Sequence, residues 1–314
     1  MLYLQLYTSN VTINNQGGLY MKGIVLAGGS GTRLYPITEG ISKQLMPIYD
    51  KPMIFYPISA LMLAGIRDIL VITTEKDQEG FKRLLGDGSK FGINLEYIVQ
   101  PSPDGLAQAF ILGEEFIGDD ECAMVLGDNI FYGNGFVEML KKAAENAKLG
   151  FATNFGIEVT DPKRFGIMEV VKTVDGNRII SVEERPENPK SNFAITGLYF
   201  YPKGVSKKAK LVKPSKRNEL EITSLNDMYL KEDRLLAELL GGGFSWYDTG
   251  TFESQLDAAN AIRVYQTSRG KVLSCLEQIG YKNGWLSRES LEERAEELSK
   301  NTYGKYLRKV LDKK

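Results

Sequence analysis

The segment Lys22-Gly-Ile-Val-Leu-Ala-Gly-Gly-Ser-Gly-Thr-Arg-Leu34 sets three glycines within four residues behind an apolar run and follows them with Arg33. This pattern is that of a strand feeding a loop able to bind phosphate. Glycines let the backbone turn sharply and approach an anion closely, and consecutive free amides form a concave nest of donors. Arg33 adds a planar, bidentate cation. Two common glycine loops do not fit. A P-loop needs Gly-x-x-x-x-Gly-Lys-Ser/Thr, and no such Lys follows Gly28 and Gly29. A dinucleotide fingerprint needs a third glycine where Leu34 stands. Taken alone, the stretch is also compatible with a plain tight turn.

The residue inventory limits the remaining chemistry. Histidine is absent from the 314 residues, which excludes Ser-His and Cys-His nucleophiles and His-ligated zinc. Cys122 and Cys275 stand far apart without metal spacing and read as buried free thiols. Carboxylates, cations and backbone amides must therefore do the work. With a net charge of -1, no global basic field recruits nucleic acid or an anionic membrane, so the expected partner is a small anion held by local cations. Residues 1–20 carry no Lys or Arg and no continuous apolar core, unlike a secretory signal. No later run approaches a membrane span. The expectation is a cytoplasmic protein in which the Asn10-Val11-Thr12 sequon has no role.

The elements that must position these residues alternate in type. Strands are expected at Gly23–Leu26, Asp68–Thr73, Leu95–Val99 and Ala123–Leu126, with helices over Met53–Leu63 and Leu106–Phe116, the alternation of an α/β sheet. Ligands of such sheets bind beyond the carboxyl ends of strands, where both the Gly28–Arg33 loop and the Gly127-Asp128-Asn129 turn fall. From Phe151 the pattern turns to strands: Phe151–Val159, Gly166–Val171, Arg178–Glu183 and Ile195–Tyr201, separated by turn signals such as Asp175-Gly176. Helices over Glu219–Leu230 and Phe252–Ser268 flank a strand at Phe244–Tyr247, and Leu291–Leu311 reads as one or two amphipathic helices.

Further clusters recur in a fixed order: Ile41-Ser-Lys-Gln-Leu-Met-Pro-Ile-Tyr-Asp-Lys-Pro-Met53, Gln100-Pro-Ser-Pro-Asp-Gly-Leu-Ala-Gln108, Leu126-Gly-Asp-Asn129, Pro189-Lys-Ser-Asn192, Thr196-Gly-Leu-Tyr199, Glu219-Leu-Glu-Ile-Thr223 and Trp246-Tyr-Asp-Thr-Gly-Thr251. On these residues the chain resembles the sugar-1-phosphate nucleotidyltransferase family from about Met21 through Gly284. Within it the likeness is greatest to the branch that joins dTTP and glucose 1-phosphate into dTDP-glucose and pyrophosphate. The resemblance implies a Rossmann-like nucleotidyltransferase α/β fold: a mixed, mainly parallel central sheet, an inserted β-rich sugar-binding part and C-terminal helices. The parts expected are an N-terminal extension (1–20), a nucleotide-binding part (21–150), a sugar-phosphate-binding part (151–250) and a C-terminal helical region (251–314). It also implies a homotetramer built as a dimer of dimers, acting in deoxysugar synthesis such as that of dTDP-rhamnose.

Bringing two polyanions together requires neutralisation, because like charges a few ångströms apart repel by several kcal/mol even at an effective dielectric of ~20. Arg33, Lys43, Arg185 and Arg217 are the candidate cations. Mg²⁺ takes one or two carboxylates with phosphate oxygens and water, which suits Asp128 and Asp248. Each Asp taken singly could equally be a turn or helix cap; jointly they match the family's metal pair. By the resemblance, Gly28, Gly29, Ser30, Gly31, Thr32 and Arg33 hold the triphosphate with Lys43 and Gln44 against it. Gln100, Pro103 and Gly105 meet the base. Gly166, Glu184, Ile195, Thr196 and Tyr199 meet the sugar, Arg185 and Arg217 its phosphate. Trp246 could stack on the ligand or pack in the core. A sugar phosphate is already a nucleophile at neutral pH, so a single in-line displacement at the α-phosphorus needs no general base.

Some positions depart from the family pattern. Arg185 stands where Lys is usual, which changes hydrogen-bonding geometry at the same charge. Arg217-Asn218 replaces an Arg-Gly pair. Gly241-Gly242-Gly243 and Tyr132-Gly133-Asn134 lack the Arg and His of a second, feedback site, so weaker inhibition by a downstream dTDP-sugar is expected. Alternatives are the same chemistry with UTP or another hexose 1-phosphate, and a protein that binds nucleotide sugars without catalysis.

Overall fold

The computed structural model describes residues 21–29, 31–173 and 176–312; the expectations for residues 1–20 with their sequon, for Ser30 and for Asp175 lie outside the described residues. One sheet runs through both halves of the chain. Its first part is β1 (Met21–Ala27), β4 (Asp68–Thr73), β5 (Asn94–Val99) and β6 (Glu121–Leu126). The second part is β8 (Ala152–Glu158), β9 (Gly166–Thr173), β10 (Gly176–Glu184), β11 (Phe193–Tyr201) and β12 (Leu235–Leu240). Short strands β2 (Pro47–Ile48) and β3 (Lys51–Pro52) pair with each other, as do β7 (Asn129–Gly133) and β13 (Phe244–Asp248).

The order across the large sheet is β5-β4-β1-β6-β11-β8-β12-β10-β9. Pairing is parallel among β5, β4, β1 and β6 and between β8 and β12, and antiparallel at the β6–β11, β11–β8, β12–β10 and β10–β9 steps, so the sheet is evenly mixed and not mainly parallel as expected. Parallel strands covered on both faces are apolar throughout. Accordingly, Val25, Ile69, Val71, Ala123 and Val125 pack to one side with the Phe55–Leu63 helix, while Ile24, Leu70, Ile72 and Met124 pack to the other with Phe110.

The expected helix Leu106–Phe116 is two short helices, Gln108–Leu112 and Glu114–Ile117, parted at Gly113. A Cβ there would stand 3.2 Å from both Ile24 and Leu70, so the break lets the chain lie close on β1 and β4. The C-terminal stretch is likewise two helices, Arg288–Glu297 and Thr302–Leu311, capped by the Ser287 and Asn301 side chains. Helices Gln78–Leu85 and Phe136–Lys148 and strands β7 and β12 add to the elements expected. Cys122 and Cys275 are buried free thiols. Among the described residues no helix is long and apolar enough to cross a membrane.

Two features of this architecture position the site. The parallel register Leu26↔Leu126 makes the loops after β1 and β6 emerge side by side, and the Gly127 amide donates to the Leu26 carbonyl at 2.9 Å. The β7–β13 ribbon pairs Asn129 with Asp248, which brings the residue before β7, Asp128, beside the end of β13.

Candidate active site

Asp128 and Asp248 form the centre. Lys43 Nζ donates to Asp128 Oδ2, and Asn129 Nδ2 donates to Asp128 Oδ1 at 3.0 Å. The Asp128 carbonyl accepts from Thr249 Oγ1 at 2.6 Å, which ties the two Asp-bearing turns together. Asp248 is not a helix cap: Thr251 caps the Phe252–Arg269 helix in a capping box with Ser254. Arg33 lies alongside, since a Cβ on Gly250 would be 3.3 Å from Asp248 Oδ1 and 3.9 Å from Arg33 Nη1.

The two carboxylates titrate in opposite directions. Burial alone would raise Asp128, but the Lys43 charge and hydrogen bond and the Asn129 amide outweigh it, and its carboxyl sits below the ordinary value. Burial also works against the Lys43 ammonium, and Asp128 together with Asp248 more than offsets it, so Lys43 stays protonated. Asp248 is raised, first by burial and then by the charge of Asp128, with Lys43, Arg164 and Arg33 only partly compensating. Asp128 is thus paired with Lys43, while among the described residues Asp248 makes no ion pair of its own. This donor set fits Mg²⁺, which binds through one or two carboxylates and completes its shell with phosphate oxygens and water. Among the described residues no cluster of three or more acidic, His or Cys ligands exists, as a protein-only cage would require.

On one side of Asp128 lies a cavity of about 230 Å³ lined by Gly28, Gly29, Lys43, Gln44, Gln100, Pro103 and Gly105, with Leu26, Leu106, Leu126 and Glu219. Gln44 is buried and braces the loop, its Nε2 reaching the Gly28 carbonyl at 3.4 Å. Gln100 is held by Gln108 Oε1 at 2.7 Å. Gly105 has φ 106, and a Cβ there would stand 2.5 Å from the Leu220 backbone, so no side chain is tolerated. Gly31 and Thr32 do not reach this cavity; Gly31 starts the 3-10 turn Thr32–Leu34 that presents Arg33, and Thr32 is exposed.

On the other side lies a cavity of about 150 Å³ that shares Asp128 with the first and is lined by Gly166, Glu184, Arg185, Ile195, Tyr199, Trp246 and Asp248. Thr223 Oγ1 donates to Glu184 Oε2 at 2.7 Å. Burial raises the Glu184 carboxyl, Thr223 pulls it down, and the nearby Glu221 adds to the rise. Trp246 meets Phe165 edge-on at 5.3 Å and donates from Nε1 to Asn129 Oδ1 at 2.6 Å.

Two expected sugar-side contacts are corrected. Thr196 is fully buried and its hydroxyl donates to the Phe155 carbonyl at 3.0 Å, because alternation along β11 turns Ile195, Gly197 and Tyr199 to the cavity and Thr196 away from it. Arg217 lines neither cavity; its guanidinium is engaged by Glu219 and Glu221.

Sequence reasoning missed Asn129, Arg164 and Phe165. Asn129 Oδ1 accepts from both Trp246 and the Gly197 amide, the latter at 3.1 Å, while its amide nitrogen steadies Asp128. Asn129 thereby joins the ribbon, β11 and the Asp128 turn. Its place directly after Asp128 was the available signal. Arg164 and Phe165 come from the short turn before β9, and the Lys163-Arg164 doublet ahead of a strand was theirs.

Residues 22–264 match the nucleotidyl transferase family model, and the chain belongs to that family. It is similar to a glucose-1-phosphate thymidylyltransferase of Neisseria meningitidis serogroup A, 58% identical over 93% of this chain and 100% of the relative. A protein of the same name from Mycobacterium tuberculosis is 50% identical over 93% of this chain and 100% of its own. Among solved structures, a UDP-glucose pyrophosphorylase complexed with UDP-glucose superposes with a TM-score of 0.69 at 26% identity, covering 79% of this chain and 99% of that one.

Proposed function

We propose that this chain joins dTTP and glucose 1-phosphate, giving dTDP-glucose and pyrophosphate. The observation that carries the reading is that Asp128 is a wall common to the two cavities, with Asp248 across the ribbon from it. Relatives sharing half or more of their residues over nearly the whole chain bear the corresponding name.

Gly28, Gly29 and Lys43 hold the triphosphate, and Arg33, beside Asp248, adds a second neutralising charge. Glu184 and the Ile195–Tyr199 face hold the hexose, and Arg185 orients its phosphate. An oxygen of the sugar phosphate forms the new bond to the α-phosphorus as the bond to the bridging oxygen breaks, and that electron pair leaves with pyrophosphate. No side chain need remove a proton, and positioning with charge stabilisation supplies the acceleration. Mg²⁺ bound by Asp128 and Asp248 would screen the facing phosphates.

The reading extends to a cytoplasmic homotetramer of two dimers in deoxysugar synthesis, with weak feedback inhibition. The motivations are the family pattern and the exposed Gly241–Gly243 turn, which carries no cation. Light scattering giving the mass of one 35.1 kDa chain would refute the tetramer. A submicromolar inhibition constant for dTDP-rhamnose would refute weak feedback.

The functional test is pyrophosphate release with Mg²⁺, crossing dTTP, UTP, ATP and GTP against glucose, galactose and N-acetylglucosamine 1-phosphates. dTTP with glucose 1-phosphate is expected to be fastest and to be abolished in Asp128→Asn. Preference for UTP would assign the uridylyl reaction instead. Silence with every pair, despite nucleotide binding, would leave only the binding role.

A further inference from the structure

Three cavities adjoin in series, the first two lined by Asp248. The sugar-side cavity shares Arg164, Phe165, Arg185 and Asp248 with a second, of about 350 Å³, to which Arg33 and Lys163 contribute. The second shares Lys163 and Arg185 with an outer one of about 480 Å³ bounded by Pro186, Glu187 and Asn188. Lys163 lines the outer two and neither substrate cavity described above.

The chain fixes this residue at the mouth of the series. Pro162 opens the short turn Pro162–Arg164, and the Arg185 amide donates to the Phe165 carbonyl at 3.1 Å, just beyond the Glu184↔Gly166 pair of the β9–β10 hairpin. Arg185 holds φ 43, a left-handed conformation costly for a non-glycine residue, immediately before Pro186. Cations outnumber carboxylates there as well, with Arg33, Lys163, Arg164 and Arg185 lining the outer two cavities against Asp248 and Glu187. Among the described residues Arg33, Lys163 and Arg164 form no ion pair, and Arg185 stands 3.6 Å from Glu184. Cations left unpaired around connected cavities create a positive potential that favours an anion there.

We propose that Lys163 is an outer binding residue for a phosphate-bearing anion, holding it between solvent and the reacting centre. The chemistry is that of a phosphomonoester or pyrophosphate, which the inbound sugar phosphate and the departing pyrophosphate share. The proposal rests on the transferase reading, and no bond is made or broken at Lys163.

The test is titration calorimetry of glucose 1-phosphate and, separately, of inorganic pyrophosphate into the wild-type protein, Lys163→Glu and Lys163→Arg, at low and high ionic strength. Lys163 is exposed, so these substitutions leave the core intact. Lys163→Glu is expected to weaken at least one anion by about tenfold at low salt and by less at high salt, with Lys163→Arg close to wild type. Weakening of glucose 1-phosphate alone assigns Lys163 to capture, and of pyrophosphate alone to release. Unchanged affinity for both anions in Lys163→Glu overturns the proposal. Binding is read without turnover, so a wild-type protein that binds both anions but releases no pyrophosphate contradicts the transferase reading and not this one.

Discussion

The two walls that meet at Asp128 are built by different means. The wall we assign to the nucleotide comes from loops at the carboxyl ends of parallel strands, and it sets Gly28, Gly29, Pro103 and Gly105, where the main chain can approach closely, beside the side chains of Lys43, Gln44 and Gln100. The wall we assign to the sugar comes from antiparallel β9, β10 and β11 with β13, and it presents the side chains of Glu184, Ile195, Tyr199 and Trp246. A backbone cradle suits phosphates, which need many donors at close approach, whereas a hexose needs a few oriented acceptors above an apolar floor. The difference teaches that substitutions on the first wall act through backbone shape, and on the second through single polar groups.

The largest expected effects fall on the seam between the walls, where neither means suffices alone. Asp128→Asn should lower turnover by about 10³-fold. It should also destabilise the fold by about 2 kcal/mol, because it leaves the partly buried Lys43 ammonium without its carboxylate. Single-turnover kinetics and denaturant unfolding read the two effects.

Asp248→Asn should lower turnover by about 10²-fold yet raise the melting temperature at neutral pH. The folded state binds the Asp248 proton more tightly than the unfolded chain does, so its ionised form costs stability above the raised pKa, and that cost vanishes as pH falls through it. The shift belongs to the metal-free protein, and Mg²⁺ held by Asp248 would lower it again. A melting temperature that falls in Asp248→Asn would contradict the assignment.

Smaller effects separate the walls themselves. Gly105→Ala forces a Cβ onto the Leu220 backbone and should raise KM for the nucleotide about tenfold, leaving the sugar phosphate alone. Glu184→Gln should do the reverse by a similar factor, removing a charged acceptor from the sugar wall. Thr223→Val, which deletes only the donor to Glu184, should raise the sugar-phosphate KM about threefold. Steady-state kinetics with each substrate varied in turn resolve all three.

What the sequence disclosed follows from the same contrast. That Gly28, Gly29, Gln100–Gly105 and Asp128 fall at strand ends was legible because strand-end turns are written in contiguous residues. Side-chain walls are written across distance. Asn129 clamps Gly197 and Trp246, 68 and 117 residues away, a relation no local pattern contains. Thr196 lies within a cluster that suggests binding, yet the strand turns it into the core beside Phe155. Arg217 carries the right charge for a phosphate and is taken up by its own neighbours, Glu219 and Glu221. The Phe252–Arg269 helix follows the usual rule only in part, burying Ala258 and Ile262 in an apolar cluster. It buries Gln255 and Gln266 on partners from elsewhere in the chain, Thr249 and Asp50, and leaves Phe252, Leu256 and Val264 exposed. Hydrogen bonding at those depths overrides hydrophobic pattern.

The most direct test of two separable walls meeting at one carboxylate is a bisubstrate kinetic grid on Gly105→Ala and Glu184→Gln measured side by side. The account predicts that KM rises for dTTP alone in the first and for glucose 1-phosphate alone in the second. Equal rises for both substrates in either variant would contradict it.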